Sequence, residues 1–182
     1  VLRCGFESGN LASATRVSEH EINLEGRADT CNDRFRLWFY FSCSNVQASE
    51  KIIFSVTNMS KSRSLYRQGM GPLVRSTSRK VWQRIPQKHV YYYRSPRHNR
   101  NYVMSFIFQF DKVKDTYHFA YCYPYTYTDL QRYLHAMDQR EMTYWHRELL
   151  CRTLQHRRLD LLTISTHQRP MLHEASAGSG VA

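Results

Sequence analysis

At 182 residues the chain has room for one domain with an adequate core, or for one domain plus part of another. Its 42% hydrophobic and 14% aromatic content excludes a disordered chain and favours a β-rich core. The net charge of +11 leaves nucleic acid, an anionic membrane or an acidic protein as the partner classes that charge would recruit.

Five cysteines, at 4, 31, 43, 122 and 151, are odd in number and lack metal-site or framework spacing, which points to a reduced, cytoplasmic compartment. Nothing at the start reads as a signal peptide, and no apolar run is long enough to span a bilayer, so no membrane partner is expected. The opening on Val1 rather than Met is what a fragment would show.

Phe6 to Leu11 begins the chain as a turn built on Gly9 and Asn10. His20, Ile22 and Leu24 then alternate with Glu19, Glu21 and Asn23, the mark of a half-buried strand over 18–24. Arg34 to Ser42 is expected to be the clearest strand of the first half, with Phe35, Leu37, Phe39 and Phe41 inward. Ile52, Phe54 and Val56 repeat the pattern over 51–57. Asn58 to Pro72 carries two glycines and a proline without a sustained period. A long loop of that kind is either functional or packed against a neighbour. Short strands are predicted within 74–84 and over 89–94.

The longest patterned stretch runs from Tyr102 to Leu134. Tyr102, Met104, Phe106, Phe108 and Phe110 give a strand one wholly apolar face. After the polar loop Asp111 to Asp115, Tyr117 to Tyr123 is predicted to run back as the second arm of a hairpin. Pro124, with no amide hydrogen, ends it. Thr128 and Gln131 fit a capping box for a helix with Leu130, Tyr133, Leu134 and Met137 on one stripe. A second helix is expected over about 140–154, with Met142, Trp145 and Leu149 on one face. Leu159 to Ser165 reads as a strand buried on both faces of a parallel sheet. His167 to Ala182 reads as disordered. Seven or more short strands separated by turns favour an antiparallel β-sandwich over 1–123.

Nine histidines invite a search for a metal. A catalytic zinc takes three protein ligands and keeps one position open. His146 and Glu148 are two residues apart, and on the predicted helix their side chains diverge by about 200°. His173 and Glu174 lie in the tail, so no metal site is expected. Cys122 sits in an aromatic strand, where burial makes a thiol inert. The tyrosines at 91–93 and 121–127 fit either base stacking or core filling; Phe119 and Tyr121 are assigned to the core, and Tyr125 and Tyr127 to an interface. Lys61, Arg63 and Arg67 surround Tyr66 in the 58–72 loop, and a solvated basic loop is the commoner outcome for such a charge cluster. From Lys51 to Phe110 there is no Asp or Glu, whereas Arg75, Arg84 and ten other residues are basic.

Five blocks carry a resemblance. FESGNL (Phe6 to Leu11), WFYF (Trp38 to Phe41), NMSKSRSLYRQGMGPLVRS (Asn58 to Ser76), VWQR (Val81 to Arg84) and YHFAYCYPYTYTDLQRYL (Tyr117 to Leu134) resemble, in order, blocks of the cytosolic carboxypeptidases. These are zinc enzymes that trim glutamate from tubulin tails. The resemblance covers most of residues 6–165, and only the family's amino-terminal domain and the first elements of its peptidase domain. It implies an amino-terminal domain over 1–123, the opening helices and first strand of an α/β peptidase domain over 124–166, and a tail over 167–182.

In that family an H-x-x-E pair supplies zinc ligands, and no H-x-x-E occurs here. The chain is therefore expected to be non-catalytic, with zinc confined to a full-length parent. The implied partners are the parent's peptidase domain and acidic tubulin tails. Lys61, Arg63, Tyr66, Arg67, Arg75, Arg84, Tyr125 and Tyr127 are the substrate or docking candidates. The rival reading is a basic β-sandwich that binds RNA or DNA, although no RRM, KH or zinc-finger signature is present.

Overall fold

Alternating apolar residues drive the first 126 residues into short strands, and the computed structural model describes residues 1–30 and 32–166 of the chain. The strands are β1 (Leu2–Arg3), β2 (Ser13–Ser18), β3 (Glu21–Glu25), β4 (Tyr40–Cys43), β5 (Lys51–Met59), β6 (Leu73–Ser76), β7 (Gln83–Arg84), β8 (Val90–Arg94), β9 (Tyr102–Gln109) and β10 (Tyr117–Ala120). They form two five-stranded sheets, ordered β1-β4-β10-β6-β7 and β2-β3-β5-β9-β8. Every pairing is antiparallel except that of β3 with β5. The exception has a simple cause: the chain leaves β3, builds β4 in the other sheet, and re-enters in its original direction.

One core serves both sheets. Phe41 and Phe119 from the first face Phe54 and Phe106 from the second, all fully buried. Ring centroids lie 5.5 Å apart for Phe41 and Phe54, 5.2 Å for Phe54 and Phe119, and 5.4 Å for Phe106 and Phe119. Tilted and edge-on pairs at this spacing add to the burial energy.

This arrangement corrects the expected hairpin. β9 pairs with β5 and β8, whereas β10 pairs with β4 and β6 in the other sheet. Phe106, Phe108 and Phe110 meet Tyr117 and Phe119 across the core rather than side by side. Residues 111–115 turn the corner, and Asp115 pins it by accepting from Thr77 Oγ1 at 2.6 Å and Ser78 N at 3.1 Å. The strand expected over 34–42 also shortens to Tyr40–Cys43, and Phe35 is 58% exposed. Upstream, backbone groups bond to side chains instead of a ladder: Arg36 N donates to Ser60 Oγ at 3.0 Å, and Asn10 Nδ2 donates to the Trp38 carbonyl at 2.9 Å. Within the 58–72 loop, Leu65–Gln68 makes a 3₁₀ turn capped by Ser64 and closed by Gly69 at φ 98°, a left-handed value that favours glycine.

A second unit begins at Tyr127. Among the described residues it holds one helix, α1 (Tyr127–Asp138), and an antiparallel hairpin of β11 (Trp145–Arg152) and β12 (Arg158–Ile164). The second predicted helix is thus a strand. Trp145 and Leu149 fit a helical stripe, but with Arg147 they equally share one strand face, and long-range bonds decide between the two. Arg147 pairs with Asp138 of α1 and Asp160 of β12, each at 2.9 Å. Leu159 to Ser165 is likewise not a strand buried on both faces; it pairs antiparallel, and Leu159, Leu161 and Ile164 are exposed. The helix starts ahead of Thr128, and the Gln131 side chain bonds Asp160 and Arg147 rather than closing a capping box. No helix of the described residues is long and apolar enough to cross a membrane. The tail from His167 to Ala182 lies outside the described residues.

Candidate functional site

The alternation that sends Phe41 and Phe119 inward sends Tyr40 and His118 to the outer face of the first sheet. Arg75 stands opposite His118 in the register. Phe6 packs on Tyr40 at 4.7 Å and on His118 at 5.7 Å between ring centroids. Trp82 lies 5.9 Å from Tyr40, and the Arg75 guanidinium stacks 4.7 Å above the Trp82 ring while donating to Tyr40 Oη at 3.1 Å. Burial first, and then the Arg75 charge, push the His118 imidazole below its ordinary pKa. An outer sheet face is ordinarily polar; this one is aromatic, with a single stacked cation.

The face continues into a cleft. Trp38, 6.4 Å from Tyr40, donates its indole N–H to the Ser8 carbonyl at 2.7 Å. With Gly9, Asn10, Tyr123 and the exposed Tyr125 it lines a cavity of about 520 Å³. Phe6, Tyr40, Trp82 and His118 were not singled out from the sequence as site residues, although each lies within one of the five blocks quoted above.

The remaining candidates fall elsewhere. Tyr66 is 1% exposed, stacks with Tyr92 at 6.3 Å and donates to the Tyr121 carbonyl at 2.6 Å. Burial pushes its phenol far above the ordinary value. Arg67 lies over Tyr92 and Tyr102 at 5.8 and 5.6 Å. Lys61 offers its carbonyl to the Tyr92 hydroxyl, and both Lys61 and Arg63 are exposed. Arg84 donates to the Gly71 carbonyl at 2.9 Å. Tyr127 belongs to the second unit, where its hydroxyl donates to the Arg158 carbonyl at 3.2 Å. The structure therefore joins Arg75 and Tyr125 to the aromatic face, and Tyr66 and Arg67 to the tyrosine cluster beneath the loop.

Among the described residues no three His, Cys, Asp or Glu side chains converge. On a strand His146 and Glu148 do point the same way, with Nε2 and Oε2 3.8 Å apart, which corrects their expected divergence. Two ligands do not make a zinc centre. These residues do not fit a zinc centre of the kind that the resemblance implies for a full-length parent. Burial raises the Cys122 thiol pKa, outweighing the Arg84 charge, so it makes a poor nucleophile.

The family model described as the cytosolic carboxypeptidase N-terminal domain matches residues 2–122. The chain belongs to the cytosolic carboxypeptidase family. It is 57% identical over 161 residues to cytosolic carboxypeptidase 6 of Homo sapiens, covering 88% of this chain and 32% of that protein. Its identity to cytosolic carboxypeptidase 6 of Caenorhabditis elegans is 44% over 165 residues, covering 90% and 36%. The chain thus spans about a third of the length of the curated relatives it matches. A metallo-carboxypeptidase from Burkholderia cenocepacia has the same fold, with a TM-score of 0.71 at 19% identity over 93% of this chain and 40% of that one. One from Pseudomonas aeruginosa gives 0.63 at 19%, over 92% and 40%. The aromatic face of Phe6, Tyr40, Arg75, Trp82 and His118 lies within the 2–122 match.

Proposed function

We propose that this chain is the non-catalytic amino-terminal part of a cytoplasmic zinc carboxypeptidase that removes glutamates from polyglutamylated tubulin. In this reading the aromatic face of the first sheet docks on the parent's peptidase domain, and the basic surface guides acidic substrate toward it. The zinc chemistry is assigned to the peptidase domain and none of it to this chain.

The aromatic face carries the docking part. Trp, Tyr and Arg are the residues that most often dominate binding energy at interfaces, and Phe6, Tyr40, Arg75 and Trp82 gather on one outer face where polar residues are the rule. Charge supports the guiding part. Of the twelve basic residues between Lys51 and Phe110, Arg79 alone is ion-paired among the described residues, with Asp111 at 2.9 Å.

Titrating the chain with the peptidase domain of a family member, made as a separate polypeptide, tests the docking. A one-to-one complex is expected, with roughly tenfold weaker binding for Trp82→Ala. No complex, or equal binding by the variant, would sink the assignment.

A further inference from the structure

The second sheet has an open edge. β8 pairs with β9 only as far as Val90 opposite Phe106, whereas β9 runs on to Gln109. On its other side β9 stays paired with β5 to the end, Gln109 opposite Lys51. The phase of that ladder is set one residue further on. Phe110 N–H donates to the Glu50 carbonyl at 2.9 Å, and Ser49 N–H donates to the Phe110 carbonyl at 2.8 Å. Bonded and non-bonded residues alternate along an antiparallel pair. Gln109 therefore turns its own N–H and C=O away from β5, toward the side that β8 has left.

That edge borders a cleft of about 830 Å³. Ile85, Ile107 and Phe108 line it with apolar surface, and Lys51, Arg84 and His89 line it with nitrogen donors. No Asp or Glu lines it. The Lys51 and His89 side chains make no hydrogen bond or ion pair among the described residues, and Arg84 commits one donor to a backbone carbonyl. Donors without acceptors, an apolar wall and an unpaired strand edge thus stand together.

We propose that this cleft binds an extended acidic peptide that adds to β9 at Gln109 as an extra strand. Side chains of an extended peptide alternate between two sides. Its carboxylates meet Lys51, Arg84 and His89, and its apolar side chains cover Ile85, Ile107 and Phe108. The proposal rests on the acidic-substrate reading above and gives it a location. A free anion would not engage the strand edge, and RNA has no peptide backbone to pair with it.

Fluorescence anisotropy of the full chain with a labelled octapeptide of alternating Glu and Val tests the site. The double variant Lys51→Glu/Arg84→Glu reverses the charged side of the cleft. Gln109→Pro removes the offered N–H without touching the β5 ladder. Each is expected to weaken binding roughly tenfold, against less than about twofold for Arg27→Glu, outside the cleft. In the unsubstituted chain, the Gln109 amide is expected to exchange about tenfold more slowly with peptide bound, a readout that stands if Gln109→Pro fails to fold. An unchanged Gln109 amide, or equal losses in Arg27→Glu and the double variant, overturns the proposal. Binding of the octapeptide at the cleft without any binding of polyglutamate supports the cleft and rejects the tubulin-tail reading. Polyglutamate binding that survives Lys51→Glu/Arg84→Glu and Gln109→Pro rejects the cleft and keeps that reading.

Discussion

Asp160 has a side chain only 3% exposed, yet it is charged. It accepts from Arg147 at 2.9 Å, Gln131 at 3.1 Å and Arg158 at 2.8 Å. The Arg147 bond is the largest cause that holds its carboxyl at about 2 against the opposing effect of burial. A folded-state pKa below the unfolded value of about 3.9 contributes stability that is present above that value and lost as pH falls toward the folded one. We expect amides of β11 and β12 to keep constant hydrogen-exchange protection from about pH 7 to 5, after correction for intrinsic rates, and to lose it between about 4 and 2. Protection that survives pH 2 would mean that the Asp160 network does not hold the hairpin.

At the scale of elements, close approach decides more than propensity. A Cβ at Gly71 would sit 2.2 Å from the Ile85 carbonyl, where β6 and β7 come together. Gly71→Ala should push β7 off its edge and cost about 2 kcal/mol in urea unfolding; a cost near zero would show that β7 moves freely. Parts of the elements are legible from spacing alone: Ile52, Phe54 and Val56 on β5 are buried as their alternation predicts. The pairing of β9 and β10 is not legible that way, because two apolar strands separated by a polar loop satisfy a hairpin and a crossing between sheets equally well. Only the backbone pairing of β9 with β5 and β8, and of β10 with β4 and β6, separates the two arrangements.

For the whole molecule, charge and exposed apolar surface make the predictions. Leu150, Leu159, Leu161 and Ile164 are exposed on a two-stranded hairpin, too little sheet to be stable by itself. The full chain should associate in sedimentation, and residues 1–126 alone should be a better-behaved monomer. A monodisperse full chain with a protected hairpin would contradict this. Binding to polyglutamate should be weak and largely lost by about 0.3 M salt, where the Debye length is below about 8 Å. Reversing Lys61, Arg63 and Arg67 to glutamate should weaken it more than reversing Arg157 and Arg158. Equal losses would leave net charge alone in control, and a preference for RNA at matched salt would favour the rival reading.

Composition and local spacing by themselves determined that the chain is rich in β-strand, that Phe39, Phe41, Phe54 and Phe106 face inward, and that it lacks an H-x-x-E pair. The order of the five blocks carried the family. These depend on neighbours in sequence, or on residue identity alone. The tertiary structure decided that β3 and β5 run parallel, that residues 145–152 form a strand, and that Phe6, Tyr40, Arg75, Trp82 and His118 share one face. Each of these depends on partners distant in sequence, such as Arg75 and Tyr40 across 35 residues. A local pattern is neutral between arrangements that differ only in which distant strand it meets, and packing and hydrogen bonding between those strands break the tie.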